Sequence, residues 1–255
     1  MKKNNRIAGH PVRYFQETDS TNARAREEAR KGAESGTVFV AETQSKGRGR
    51  LGRSWHSPAG SGLYFSLILS PGISTTDLPK ISLATGVALC RAIRGYVENP
   101  ALKWPNDLLL EGRKVAGILT ETIPRQDTAS LVIMGIGINV NQCEHNVPAE
   151  LADRLGTIQA AYGSPLARGK LLESILNQID ALLNQAERYG FTDILKEWRN
   201  HDASRGKYLT WLTTEGETVH GLSQGIDEEG LLWIRDNRGK MHEVISGDIT
   251  IGKAG

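Results

Sequence analysis

Residues 47–55 read GRGRLGRSW, three glycines interleaved with three arginines and closed by a tryptophan. Glycine at this density disfavours both helix and strand, because each one adds backbone freedom that regular structure must suppress. On either side lie β-prone runs, 37–42 and 63–69. A strand, an irregular loop and a second strand are therefore the seed around which the chain must fold. With Lys46 counted, four of the eight residues from Lys46 to Arg53 are cationic, whereas the whole chain sets 31 basic against 29 acidic residues for a net charge of +2. Positive charge is local, which suits a small anion such as phosphate approached closely by backbone.

Two simpler readings of the segment compete. Interleaved Gly and Arg occur in disordered nucleic-acid tails, but this stretch is internal and bracketed by strands. Gly47, Gly49 and Gly52 also satisfy G-x-G-x-x-G, which marks a dinucleotide fold when a helix follows and an acidic residue lies about 20 positions on. Pro58, Gly60 and Gly62 follow instead, and residues 67–72 contain no Asp or Glu.

The 255 residues suit one ordinary domain plus a smaller one. Hydrophobic residues make up 39% and charged residues 24%, which fits a soluble globular chain. The longest apolar run, 131–140, is too short to span a bilayer, and MKKNNRIAGH has no apolar run behind its basic residues. No membrane association and a cytoplasmic location are expected. Cys90 and Cys143 form no C-x-x-C, and the six histidines show no metal-ligand spacing, so no structural metal is expected. Cys90 falls in an apolar helical stretch and reads as core, while Cys143 lies in a polar segment and reads as exposed.

Read for organisation, a short strand near 12–15 precedes TDSTN, whose residues are helix-capping types, and a helix then runs to Gly32. After the glycine-arginine loop, helical spacing of Ile81, Ala84, Ala88, Ala92 and Tyr96 predicts a core-facing helix over 78–97. Glu111 and Gly112 separate β-prone LLL from VAGILTE, a predicted hairpin, and a strand over 130–138 ends in GIGINVN. Helical periodicity returns over 165–188 and 191–200. From Tyr208 onward, short β-prone runs alternate with glycine turns. They predict a small β-barrel packed on the main domain. The boundary falls between 1–202 and 203–255.

Five segments in order carry a family resemblance: Ser20-Thr21-Asn22; Gln44 with GRGRLGRSW; KWPND, 103–107; RKVAGIL, 113–119; and GIGIN, 135–139. Together they resemble biotin protein ligases over roughly residues 12–255. The resemblance implies an α+β fold, a central mixed β-sheet with flanking helices of the class II aminoacyl-tRNA synthetase and biotin ligase type, plus a small C-terminal SH3-like β-barrel. It implies ATP and biotin as substrates with Mg²⁺, a biotinyl-5′-adenylate intermediate, and a biotin carboxyl carrier protein, the acetyl-CoA carboxylase carrier subunit, as acceptor. The carboxylate of biotin attacks the α-phosphate of ATP, pyrophosphate leaves, and the biotinyl group passes to a lysine of the carrier. Both reactants of the first step are anionic, so fixed cations and N–H donors must offset their repulsion.

By position in the family pattern, Lys114, Arg48 and Asp107 carry the catalytic roles. Lys114 is expected against the reacting carboxylate and α-phosphate. Ser20, Thr21, Asn22, Gln44, Arg48, Gly49, Arg50, Lys114 and Gly117 are expected around biotin, whose ureido head needs paired polar groups inside apolar walls. Arg50, Arg53, Trp55, Asn106, Asp107 and Asn139 are expected at ATP or the adenylate. Asp107 beside a triphosphate implies a bridging Mg²⁺. Simpler roles stay open: Ser20 or Thr21 as helix caps, Trp55 as a buried anchor for the loop, Asn106 and Asp107 as a turn after Pro105, Asn139 as a strand-end turn, and Lys103 and Trp104 as support.

The main alternative is a lipoate ligase of the same superfamily, which would call for a different glycine-arginine pattern. The 19 residues before Ser20 are too few for a winged helix-turn-helix, so no DNA binding is expected. Monomer and homodimer both remain open.

Overall fold

The computed structural model describes residues 6–124, 130–141, 153–213, 216–245 and 247–252; Cys143 lies outside them. An eight-stranded sheet has the order β1-β2-β3-β4-β8-β7-β6-β5. Its strands are β1 (Arg6–Ile7), β2 (His10–Thr18), β3 (Val38–Gln44), β4 (Gly62–Leu69), β5 (Ala101–Lys103), β6 (Asp107–Leu110), β7 (Arg113–Ile123) and β8 (Leu131–Asn139). β2 and β3 pair in parallel, joined by the crossover helix α1 (Thr21–Arg30), and the other ladders are antiparallel. The expected mixed sheet is present.

Period-two patterning divides the work of the two faces. In β8, Val132, Met134, Ile136 and Ile138 are buried in the main core with Ile81, Val87 and Leu89 of α2 (Lys80–Ile93) and Leu172, Ile175 and Ile179 of α4 (Arg168–Tyr189). The alternate residues face α1. Leu131 and Ile133 pack there with Phe39, Ile68, Ala25 and Ala29. Beyond them the same face becomes Gly135, Gly137 and Asn139, and in β7 the positions opposite Gly137, Gly135 and Ile133 are Gly117, Leu119 and Glu121. The apolar face closes over α1 at one end and turns bare at the other, where the cleft opens.

The predicted hairpin is present. Leu110 pairs with Arg113, and Glu111 and Gly112 take φ of 51° and 76°, the two positive angles of a type I′ turn. Helix α2 is shorter than the periodicity predicts, ending at Ile93 before the Arg94–Gly95 turn. Five-residue α3 (Ile158–Tyr162) has no long periodicity to signal it, yet its ends are well marked: Thr157 Oγ1 accepts from the Ala160 amide, and Gly163 closes it with φ of 87°. Cys90 is fully buried in α2, and burial pushes its thiol up to about 12. None of the described helices is long and apolar enough to cross a membrane.

After α5 (Thr192–Asn200) come β9 (Tyr208–Leu212), β10 (Thr218–Ile226), β11 (Leu232–Asp236), β12 (Met241–Val244) and β13 (Asp248–Ile251). They form an antiparallel sheet of order β12-β11-β10-β9-β13. A barrel is the sequence expectation; among the described residues no ladder joins β12 to β13, so the sheet is open. Its apolar side, including Leu232, Ile234 and Val244, joins the main core. Trp104 Nε1 donates to the Gly230 carbonyl at 3.0 Å, and Arg199 donates to the carbonyls of Ile226 and Asp227. The β10–β11 turn is thereby fastened beside residues 103–107.

Candidate active site

The bare end of the sheet floors a cleft of about 820 Å³, open solvent at its mouth included. Its walls come from segments that lie far apart in the chain: the start of α1, Gln44 at the end of β3, the glycine-arginine loop, the turn into β6, the first half of β7, and Gly247 before β13.

Ser20, Thr21 and Asn22 line the cleft because α1 begins there. Neither hydroxyl caps the helix. Ser20 holds the N-cap position without a side-chain bond, and Thr21 Oγ1 donates to Gln44 Oε1 at 3.2 Å while the Thr21 amide donates to the same oxygen at 2.8 Å. Gln44 Nε2 in turn donates to Ser57 Oγ at 2.9 Å, and that hydroxyl donates to the Trp55 carbonyl. A polar chain thus runs from helix to loop. The amide of Asn22 is consumed internally: Oδ1 accepts from Ser66 Oγ at 2.6 Å and Nδ2 donates to Glu121 Oε2 at 2.9 Å. Beside α1, the Ser20 amide bonded to Asp19 holds that carboxyl below its usual range.

The loop is itself a miniature hairpin. The Trp55 amide donates to the Gly47 carbonyl at 2.9 Å and the Gly49 amide to the Arg53 carbonyl at 2.7 Å, and Arg48 bridges Ser54. Its tip is a tight turn in which Leu51 takes φ of 54° and Gly52 φ of 74°. Gly47 is required by crowding, since a Cβ there would lie 2.8 Å from Ser57 Oγ and closer still to the Trp55 carbonyl. Arg48, Arg50 and Arg53 all reach the cleft, and Arg50 Nη1 donates to Asn106 Oδ1 at 3.3 Å.

Trp55 lies over the sheet floor. A Cβ on Gly137 would sit 2.5 Å from its Cε2 and Nε1, and one on Gly117 2.9 Å from its Cζ3. Those two glycines face each other across β7 and β8. The alternation Gly135-Ile136-Gly137-Ile138 thus meets two demands, apolar bulk beneath the sheet and no side chain above it. That alternation is the available sequence signal for a floor, whereas the expected site residues from the two strands are only Lys114, Gly117 and Asn139.

Lys114 reaches back over Gly117. Its Nζ lies 2.7 Å from Asp107 Oδ1 and 5.4 Å from the centre of the Trp55 ring. Asn106 is locked beside it, Nδ2 donating to the Ile118 carbonyl at 2.8 Å and its carbonyl accepting from the Ile118 amide at 2.9 Å. A β-bulge between Leu108 and Leu109 shifts the register of β6 on β7 there. Of the expected site residues, Asn139 alone is absent from the cleft lining: it is buried, its Nδ2 donating to the Lys114 carbonyl. Among the described residues, no group of three or more His, Cys, Asp or Glu side chains could hold a metal. A divalent cation here would have one protein carboxylate, Asp107, and would need substrate phosphates for its remaining ligands.

The family described as Biotin/lipoate A/B protein ligase matches residues 14–139, and the Biotin protein ligase C terminal domain matches residues 211–252. The bifunctional ligase/repressor BirA of Bacillus subtilis is 36% identical over 96% of this chain and 75% of its own length. The chain belongs to the biotin protein ligase family. Within that family, the biotin–[acetyl-CoA-carboxylase] ligase of Mycobacterium tuberculosis is 31% identical, covering 91% of this chain and 86% of its own. The biotin protein ligase from Aquifex aeolicus, solved in complex with biotin and ATP, superposes with a TM-score of 0.81 at 31% identity, covering 95% of this chain and 99% of its own.

Proposed function

We propose that this chain is an ATP-dependent biotin protein ligase of the type that biotinylates the acetyl-CoA carboxylase carrier protein in the cytoplasm. The observation that supports it best is one cleft lined by the Thr21–Gln44 polar pair, the three loop arginines and the Lys114–Asp107 pair. The Thr21–Gln44 pair offers polar partners for an uncharged ureido head. Cations for a carboxylate and a triphosphate line the same cleft.

In this reading Ser20, Thr21, Gln44 and the backbone near Gly49 receive biotin's bicycle and ureido group. Arg48 and Lys114 face its carboxylate. Lys114 leaves Asp107 for the developing charge between carboxylate and α-phosphate, where a fixed ammonium stabilises the transition state more than the ground state. Arg50, Arg53 and Asn106 take the phosphates, Trp55 offers its ring to the adenine, and Asn139 supports the Lys114 backbone from below. Mg²⁺ carried by the triphosphate would add charge neutralisation beside Asp107. The loop then shields the mixed anhydride from water until a carrier lysine attacks the acyl carbon and AMP departs.

We further propose that 1–202 form the catalytic unit of class II synthetase type and that 203–255 form an SH3-like module. The meander with β13 returning beside β9 supports that reading. Lipoate is the competing substrate, and the relatives named above favour biotin. Incubation with ATP, magnesium, radiolabelled biotin or lipoate and a biotin-carrier domain tests the assignment. Labelling by biotin alone is expected, and labelling by lipoate alone would overturn it.

A further inference from the structure

Glu121 has no part in the adenylation chemistry, yet it places a negative charge at the edge of a site built for anions. It stands on the cleft side of β7, two positions beyond Leu119, with a side chain only 23% exposed. A half-buried carboxylate is costly unless paired. Arg26 of α1 pairs with its Oε1, and Asn22 Nδ2 donates to its Oε2 at 2.9 Å. Those two partners neutralise and orient it. A second cation is then unnecessary for burial: Arg48, on the loop, brings Nη1 to 3.8 Å from Oε1 with half of its side chain exposed.

That separation exceeds a hydrogen bond, so Arg48 is held by charge alone and is easily exchanged. Asn22 is bonded through both ends of its amide, and with Arg26 it pins Glu121 so that the carboxylate cannot follow Arg48 when the loop moves. We propose that Glu121 is a positioning residue that holds Arg48 at the edge of the cleft and competes with the ligand's carboxylate or phosphoryl oxygens for it. This rests on the reading of Arg48 as a ligand-facing cation. Each ligand molecule that recruits Arg48 must first displace Glu121, so the glutamate weakens carboxylate binding and hastens release of the adenylate.

The variant Glu121→Gln keeps an oxygen for Asn22 to donate to and removes the charge. Calorimetric titration of the full chain compares biotin with biotinol, its uncharged alcohol analogue. From the usual strength of exposed ion pairs, biotin should bind the variant about two- to fivefold tighter. Biotinol should bind unchanged, and biotinyl-adenylate should dissociate more slowly by a similar factor. In an Arg48→Ala background the effect of Glu121→Gln should disappear. An equal shift for both ligands, persistence of the effect without Arg48, or no shift at all would overturn the proposal. If Arg48→Ala alone leaves biotin binding and adenylate release at wild-type values, the assignment of Arg48 itself fails.

Discussion

Replacing Gly137 by alanine adds one methyl group to the cleft face of β8, beneath Trp55. The new Cβ would stand 2.5 Å from the indole Cε2 and Nε1. Carbon contacts are comfortable near about 3.5 Å, so the ring has to retreat by about 1 Å. The backbone at Gly137 lies outside the left-handed region, so alanine adds no strain of its own. Trp55 rides on a loop hinged at Gly47, Gly49 and Gly52, which can yield without disturbing the core. The cost should therefore fall on the site. A displacement of that size can lower a rate by about 100-fold, and ATP–pyrophosphate exchange dependent on biotin is expected to drop by that order with little change in melting temperature. Gly135→Ala is the contrast, because there the methyl meets the Asn22 amide under α1 and nothing can yield cheaply. Overpacking of about 1–3 kcal/mol should lower its melting temperature by roughly 5 °C. Gly95→Ala, with no neighbour within 4 Å, serves as control. Wild-type exchange by Gly137→Ala, or a fall in its melting temperature as large as that of Gly135→Ala, would refute the reasoning.

Lys114→Met should slow adenylate formation by about 10²–10³-fold in single-turnover assays, and a variant within fivefold of wild type would exclude Lys114 from the chemistry. Trp104→Phe removes the donor to the Gly230 carbonyl and leaves that buried oxygen unpaired, an expected loss of about 1–3 kcal/mol by urea unfolding; an unchanged unfolding midpoint would count against the contact. His10 donates from Nε2 to Asp180 at 2.9 Å, and that bond raises its pKa against the opposing effect of burial. The stabilisation is therefore complete below the unfolded value of about 6.5 and fades as pH rises through the higher folded value. With Asp180 42% exposed, it amounts to less than about 1 kcal/mol. Wild type should out-melt His10→Gln at pH 6 and converge with it toward pH 9, and a gap that widened with pH would contradict this.

Much of the fold was legible because local signals agreed with the tertiary result. The Glu111–Gly112 turn, the start of α1 after TDSTN and the β–loop–β unit each depend on residues close in sequence. The candidate site residues were legible through the family resemblance, and all but Asn139 line one cleft. What sequence could not show is competition among side chains. Asn22 reads as a ligand for biotin, yet its amide is satisfied by Ser66 and Glu121, residues 44 and 99 positions away. The bulge at Leu108–Leu109 that brings Asp107 to Lys114 has no sequence signature, and Glu121 in isolation reads as one more charged strand residue.

Strand β8 serves two masters by parity. Its even positions, Val132 to Ile138, belong to the main core; of its odd positions, Leu131 and Ile133 pack under α1, Gly135 and Gly137 line the cleft, and Asn139 is buried. A saturation library across this strand should therefore lose abundance at the even positions and at Leu131, Ile133 and Gly135, and lose turnover with abundance kept at Gly137. At Gly135 and Gly137 an evolving population has no room for added bulk, so only glycine serves there. The even positions can drift among Val, Ile, Leu and Met as long as volume is kept, so the strand should vary in stability among relatives far more readily than it varies in what it admits.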